Sequence, residues 1–386
     1  MEGRFYFGGV DVGHLGSGKK EVFLALARRL QENPIGAPLN ETLMQILYTL
    51  FTEKEAAIGS SFPQGITNLS RLSSVTGLPE TELVKHLNNM ADKGLVMDFP
   101  RKSKSYYILN PLVIGFFEYT FMRVSDKLPM GELAKLFEAY HQEKGVAEEF
   151  FGGDTKIFQT LAYEDLFTGE VETEVLDYEK ASQIIRDAGG GSLTMCYCRH
   201  QAAHRGVACD APIDDICTSL GNASEWLVRR GFARPATVDE LLRVLDETEK
   251  LGLVHLADNV QKNPAFICHC CGCCCGVLRS INEHKAHSVQ TSNFIPVVNI
   301  DNCVGCGNCM KRCHINAISL NASDNDKKNK AVINTELCIG CGACVKGCKK
   351  NAMMLVRKKD IYIPPKDKKE QMLNIANDKG KKKRNN

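Results

Sequence analysis

Residues 303–313 read Cys-Val-Gly-Cys-Gly-Asn-Cys-Met-Lys-Arg-Cys, and residues 338–348 read Cys-Ile-Gly-Cys-Gly-Ala-Cys-Val-Lys-Gly-Cys. Both runs have the spacing C-x2-C-x2-C-x3-C. The eight thiols Cys303, Cys306, Cys309, Cys313, Cys338, Cys341, Cys344 and Cys348 match in number and spacing the ligands of two cubane [4Fe–4S] clusters. Gly305, Gly307, Gly340 and Gly342 stand between them, where the chain must bend sharply and approach the sulfides closely. Zinc ribbons use paired C-x2-C knuckles rather than two runs of four, and disulfide scaffolds spread their cysteines through a short secreted chain.

Over roughly residues 290–357 the chain resembles a bacterial dicluster ferredoxin. The resemblance implies that the fourth cysteine of each run ligates the other cluster. Cys303, Cys306, Cys309 and Cys348 would hold one, and Cys338, Cys341, Cys344 and Cys313 the other. One feature departs from that family: the proline usual after the fourth cysteine is His314 in one run and Lys349 in the other.

A length of 386 residues suggests two or three domains. A hydrophobic content of 44% and a charged content of 24% are those of a chain that buries a core, and a net charge of +2 points to no polyanion partner by itself. With no apolar leader and no apolar run long enough to span a membrane, the expected location is the cytoplasm, in a cell reducing enough to keep clusters intact; anaerobic metabolism fits.

Ahead of the twin runs lie ten further thiols, and none precedes Cys196. Cys196, Cys198, Cys209 and Cys217 come first, followed by two expected helices. Then come Cys268, Cys270, Cys271, Cys273, Cys274 and Cys275, six cysteines in eight residues. Soft thiolates select iron–sulfur clusters, zinc or Cu(I), and beside a dicluster module one or two further iron–sulfur clusters are the economical expectation. Two groupings are open. Cys196, Cys198, Cys209 and Cys217 could hold one cluster and the Cys268–Cys275 loop another, or both segments could share one. His200, His204 and His269 could each replace a cysteine ligand but are expected beside the ligands or at the surface, and Arg199 and Arg205 would place positive charge near an anionic cluster.

Toward the N-terminus, Leu43, Ile46, Leu47 and Leu50 share a helical face. A short helix over 66–76 follows, then the turn Gly77-Leu78-Pro79 and a helix over about 79–92. Two strands, Leu95-Val96-Met97 and Tyr106-Tyr107-Ile108-Leu109, flank a basic tip. This order looks like a winged-helix domain. A recognition helix that opens with Glu80 and Glu82 is poorly suited to phosphate, so the domain reads first as an interaction module and only second as a DNA binder. Gly13–Lys20 has the outline of a P-loop, but Lys20 stands where the magnesium-binding hydroxyl belongs. His141 reads as a surface residue. From Arg357 onward eleven Lys or Arg face four Asp or Glu, which reads as a disordered basic tail.

From about residue 20 to 357 the chain is similar to a widespread group of ferredoxin-domain proteins with a winged-helix-like N-terminal part, a cysteine-rich middle and a dicluster C-terminus. The expected fold class is α+β: a lead-in over 1–39, a winged-helix-like domain over 40–111, a helical connector over 112–190, a mostly helical cysteine-rich domain over 191–285, the ferredoxin over 290–357 and the tail over 358–386. The expected function is that of a multi-cluster electron carrier, or a subunit passing low-potential electrons to or from a redox partner protein, rather than a stand-alone enzyme. The alternative is a redox-sensing transcription regulator that binds DNA.

Overall fold

The structure, a computed structural model, describes residues 17–101, 104–167, 174–323 and 326–381. It is an α+β protein. Of the P-loop-like stretch, residues 13–16 lie outside the described residues; the remainder opens the helix Ser17–Gln31.

The N-terminal helices are set by local signals. Asn40 caps the helix Glu41–Leu50 by accepting from the Leu43 N–H, and Thr52 and Glu55 form a reciprocal capping box on Glu53–Ser60. Gly77, at φ 70°, ends the helix Leu69–Thr76, and Glu80–Asp92 follows. Strands β1 (Thr67–Asn68), β2 (Val96–Arg101) and β3 (Lys104–Leu109) form an antiparallel sheet in the order β1-β3-β2.

The middle of the chain is not mostly helical. It is built on a seven-stranded sheet of β4 (Phe158–Leu161), β5 (Gly191–Thr194), β6 (Cys217–Leu220), β7 (Arg234–Ala236), β8 (Val254–Asp258), β9 (Phe266–Cys270) and β10 (Val289–Gln290), in the order β10-β4-β8-β9-β6-β5-β7. Every pairing is antiparallel except that of β10 with β4. The stretch 112–190 is therefore no separate helical connector, because it supplies β4 to this sheet. Several of these strands are only four or five residues long and buried on both faces, so they lack the alternation that marks a strand in sequence.

The two faces of the sheet have different partners. Leu161, Leu193, Leu220, Ala257 and Ile267 pack against the helices Ala181–Ala188 and Val238–Leu251. On the other face Phe158, Val254, Leu256, Cys268 and Cys270 join a core continuous with the N-terminal helices. Alternation along β9 puts Cys268 and Cys270 on this second face, and Ile267 and His269 on the first.

The ferredoxin module follows. Strand β11 (Phe294–Val298) pairs with β14 (Met353–Arg357), and β12 (Ile318–Ser323) with β13 (Asp326–Ile333), all antiparallel. This second hairpin runs out to Ser323 and Asp326, with 324–325 outside the described residues.

The tail also departs from the sequence reading, since Lys368–Asp378 is a helix docked on the sheet. The Gln371 side chain is fully buried and donates to the Ile157 carbonyl at 2.9 Å, Ile375 is 2% exposed, and Lys368 pairs with the buried Asp258 at 2.5 Å. Its lysines are in part consumed by acidic partners: Lys379 and Lys381 both meet Glu149. Among the described residues no helix is long and apolar enough to cross a membrane.

Candidate metal centres

In the ferredoxin module each run wraps a loop around its thiols and ends in a short helix, Asn308–Lys311 or Ala343–Lys346. Gly305 and Gly340 have φ of 70° and 74°, and a Cβ at either would meet a backbone carbonyl, of Asn329 or of Phe294. The two repeats share a second device. Asn316 and Asn351 adopt left-handed backbone, which asparagine tolerates, and the next residue turns its N–H onto a cysteine. Ala317 donates to Cys313 Sγ at 3.2 Å, and Ala352 to Cys348 Sγ at 3.3 Å.

Cys313 lies with the second run: it shares a cavity of about 370 Å³ with Cys338, Cys341 and Cys344. Cys348 is packed against the cluster of side chains that holds Cys303, Cys309 and Cys344. Cys306 is exposed. Burial pushes the Cys341 thiol up to about 12 and the Cys344 thiol higher still, so thiolates here need a cation in contact, which iron supplies.

The ten middle thiols fall into two sets: the larger draws on both segments, as in the shared grouping, and the smaller takes Cys209 away from Cys196, Cys198 and Cys217. Six of them, Cys196, Cys198, Cys217, Cys268, Cys270 and Cys275, line one pocket together with Arg199, and Cys271 also reaches its wall. Cys196 precedes the helix Tyr197–His204, Cys275 precedes Gly276–His284, Cys217 opens β6, and Cys268 and Cys270 end β9. Thiols of Cys196 and Cys268 hydrogen-bond Cys217 and hold it well below the ordinary thiol range; Cys198 and Cys270 do the same for Cys275. These contacts run around a ring. The N–H groups of Val277 and Leu278, at a helix N-terminus, also point at Cys275 and favour its thiolate.

The second set is Cys209 with Cys271, Cys273 and Cys274, whose sulfurs all lie within 4.8 Å of one another. Cys209 thus leaves the group of Cys196, Cys198 and Cys217. The six-cysteine run serves both sites: Cys268, Cys270 and Cys275 belong to the ring, while Cys271, Cys273 and Cys274 gather with Cys209 and Cys271 stands at the wall between them.

Arg199 is fully buried, donates to the carbonyls of Pro212 at 2.9 Å and His269 at 2.7 Å, and leaves its Nε without a partner. An unpaired buried donor on a wall of six thiols fits an anionic iron–sulfur group in that cavity. Burial works against the guanidinium charge, but Cys196, Cys271 and Cys270 outweigh it and raise the Arg199 pKa. Arg205, expected nearby, instead pairs with Glu138 at 2.7 Å. The histidines are engaged elsewhere: His200 Nδ1 with the Phe121 carbonyl at 2.8 Å, His204 with His200 at 3.1 Å, and His269 with Thr248 at 3.1 Å.

An open, largely apolar pocket borders the ring at Cys198. Phe117, Phe150 and Tyr197 line it, and Glu118 and His141 are polar groups in its wall. His141 is half-buried in this wall rather than free at the surface; its ring meets Phe117 edge-on at 4.5 Å, and burial lowers its pKa to about 4. Glu118 was not singled out from the sequence, although a lone carboxylate in the apolar run Leu112–Phe121 is a signal that could have found it.

Residues 302–352 match the family model of the 4Fe–4S dicluster domain. This part of the chain is an iron–sulfur ferredoxin domain. No curated protein and no solved structure gives a significant match to the chain.

Proposed function

We propose that this protein is a multi-cluster electron carrier in which the six-thiol centre and the two cubanes work in series. Iron–sulfur groups bound at these sites supply one-electron steps. The observation that carries the reading is contact between the two cysteine regions: Gly272, between Cys271 and Cys273, is hydrogen-bonded to His314, the neighbour of Cys313. Cys303, Cys306, Cys309 and Cys348 would hold the outer cubane, and Cys313, Cys338, Cys341 and Cys344 the one beside the middle domain. A redox partner protein would exchange electrons at the outer end, where Cys306 is exposed.

The N-terminal unit is read as a winged helix used for packing. Its element order supports this, and so do its contacts. Asp98 on β2 accepts from Trp226 Nε1 at 3.0 Å, Arg229 at 2.6 Å and Arg230 at 2.9 Å, and Arg230 also reaches Asp92 at 2.9 Å. These contacts commit one end of the helix Glu80–Asp92 and the neighbouring strand to the middle domain, which favours the packing reading.

Anaerobic purification with iron and acid-labile sulfide counted per chain, followed by EPR during stepwise reduction, tests the series. Signals of two cubanes and of a third centre are expected, with the third altered by Cys217→Ala. About eight irons and no third signal would defeat the proposal.

The cavity beside Cys198 favours a second reading, a reductase that takes a small apolar substrate against the ring. A ligand that shifts the third centre's spectrum, and loses that effect when Phe117→Trp fills the cavity, would support it over simple electron carriage.

A further inference from the structure

The four thiols Cys209, Cys271, Cys273 and Cys274 have a geometry of their own. Cys209 and Cys271 are 3.6 Å apart, Cys273 and Cys274 3.7 Å, and Cys274 and Cys209 3.8 Å, measured between sulfurs. A tetrahedral ion with metal–sulfur bonds of about 2.3 Å sets its four sulfurs about 3.8 Å apart. A cubane spreads its thiolates more widely, because each binds a different iron at a different corner. The same molecule supplies the comparison. Among the described residues no other group of three or more Cys, His, Asp or Glu ligand atoms lies within 4.8 Å. The ferredoxin runs do not, and neither does the six-thiol ring.

We propose that Cys209, Cys271, Cys273 and Cys274 bind a single tetrahedral ion, zinc or iron, as a metal centre separate from every iron–sulfur cluster of the chain. Four thiolates fill the coordination sphere and leave no open position, which is the character of a structural site. Its ligands come from two segments, Cys209 from the loop after the helix Tyr197–His204 and the rest from the loop after β9. The ion clasps those segments together. Cys270 and Cys275 immediately flank the clasped loop, so the clasp fixes where two ring thiols stand. Arg199 lies between the two sites, close to Cys271 as well as to Cys196 and Cys270, and offsets the negative charge of both.

The test uses the full chain purified anaerobically, with zinc, iron and acid-labile sulfide counted in the wild type and in Cys273→Ser, the exposed ligand whose replacement disturbs packing least. The variant should lose one metal ion per chain and keep its sulfide. Loss of iron together with matching sulfide, or no change in any metal, overturns the proposal. A wild-type measurement stands beside this in case the variant does not fold. If zinc is present, its X-ray absorption should show four sulfurs and no metal neighbour. If it is absent, Mössbauer spectra should contain one iron in a tetrathiolate environment. Finding neither overturns the proposal as well.

Discussion

The N–H of Gly272 donates to Nδ1 of His314 across 3.0 Å, and His314 Nε2–H donates onward to the Gly252 carbonyl at 2.9 Å. His314 stands where dicluster ferredoxins usually carry proline, and proline could make neither bond. The substitution that sets this module apart is thus also what fastens it to the middle domain. His314→Ala should cost about 1–2 kcal/mol, the net worth of two hydrogen bonds, with iron content unchanged. Gly272→Ala should cost more, because a Cβ there runs into the His314 carbonyl oxygen and the backbone has to move. Denaturant unfolding of both variants under anaerobic conditions checks the order; equal losses would mean that the close approach is unimportant.

Glu118 is 6% exposed, and burial raises its carboxyl from an ordinary 4.5 to about 7 despite the hydrogen bond from the Gly115 N–H. A carboxyl that binds its proton more tightly when folded contributes stability that is fully present below about pH 4.5 and is lost as pH rises through 7. The difference amounts to about 3 kcal/mol. Glu118→Gln keeps an acceptor for Gly115 and has no charge to bury. It should flatten the fall in stability between about pH 5 and 7 and leave the variant more stable than wild type at pH 8. A variant with the slope of the wild type would show that Glu118 is solvated through the cavity it lines.

What the sequence made legible follows from the range over which each feature is encoded. Ligands of a cubane loop lie two or three residues apart, so the twin runs and their glycines are readable locally. The middle sheet is not local. Its strand β4 pairs with β8, about a hundred residues on, and both are buried on each face, so neither shows the polar–apolar alternation of a half-exposed strand. The division of the ten thiols depends on that sheet. Cys268 and Cys270 end a strand, which points them the same way, whereas the loop after them turns Cys271, Cys273 and Cys274 toward Cys209, a residue whose position no spacing rule reaches. The tail misled for another reason: its composition is that of a solvated segment, but Gln371 and Ile375 are spaced four apart on one helical face and find a groove to fill.

Removing residues from Lys368 onward should therefore destabilise the middle domain rather than leave it untouched. Asp258 is 1% exposed and would lose the ammonium of Lys368, keeping only the Ala265 N–H at 2.8 Å, while the burial of Ile375 would be lost. Together these are worth about 3 kcal/mol or more. Lys368→Ala alone, whose side chain is 41% exposed, should cost about 1 kcal/mol. Thermal unfolding of the truncated and point variants distinguishes a docked helix from a dispensable tail, which would leave the melting temperature unchanged.

The pairing of the fourth cysteines can be read from iron counts in double variants. Cys313 shares a cavity with Cys338, Cys341 and Cys344, so Cys313→Ala and Cys341→Ala should damage the same cubane. Combined, they should lower iron by about four per chain, no more than loss of that one cluster. Cys313→Ala combined with Cys306→Ala should strike both cubanes and lower iron by about eight. If each run kept its own fourth cysteine the two results would exchange, because Cys313 and Cys306 would then belong to one site. The Ala317 N–H on Cys313 and the Ala352 N–H on Cys348 give the two sites matching hydrogen bonds. Cys348→Ala with Cys306→Ala should accordingly mirror the first pair and lose about four irons, leaving the cubane beside His314 in place.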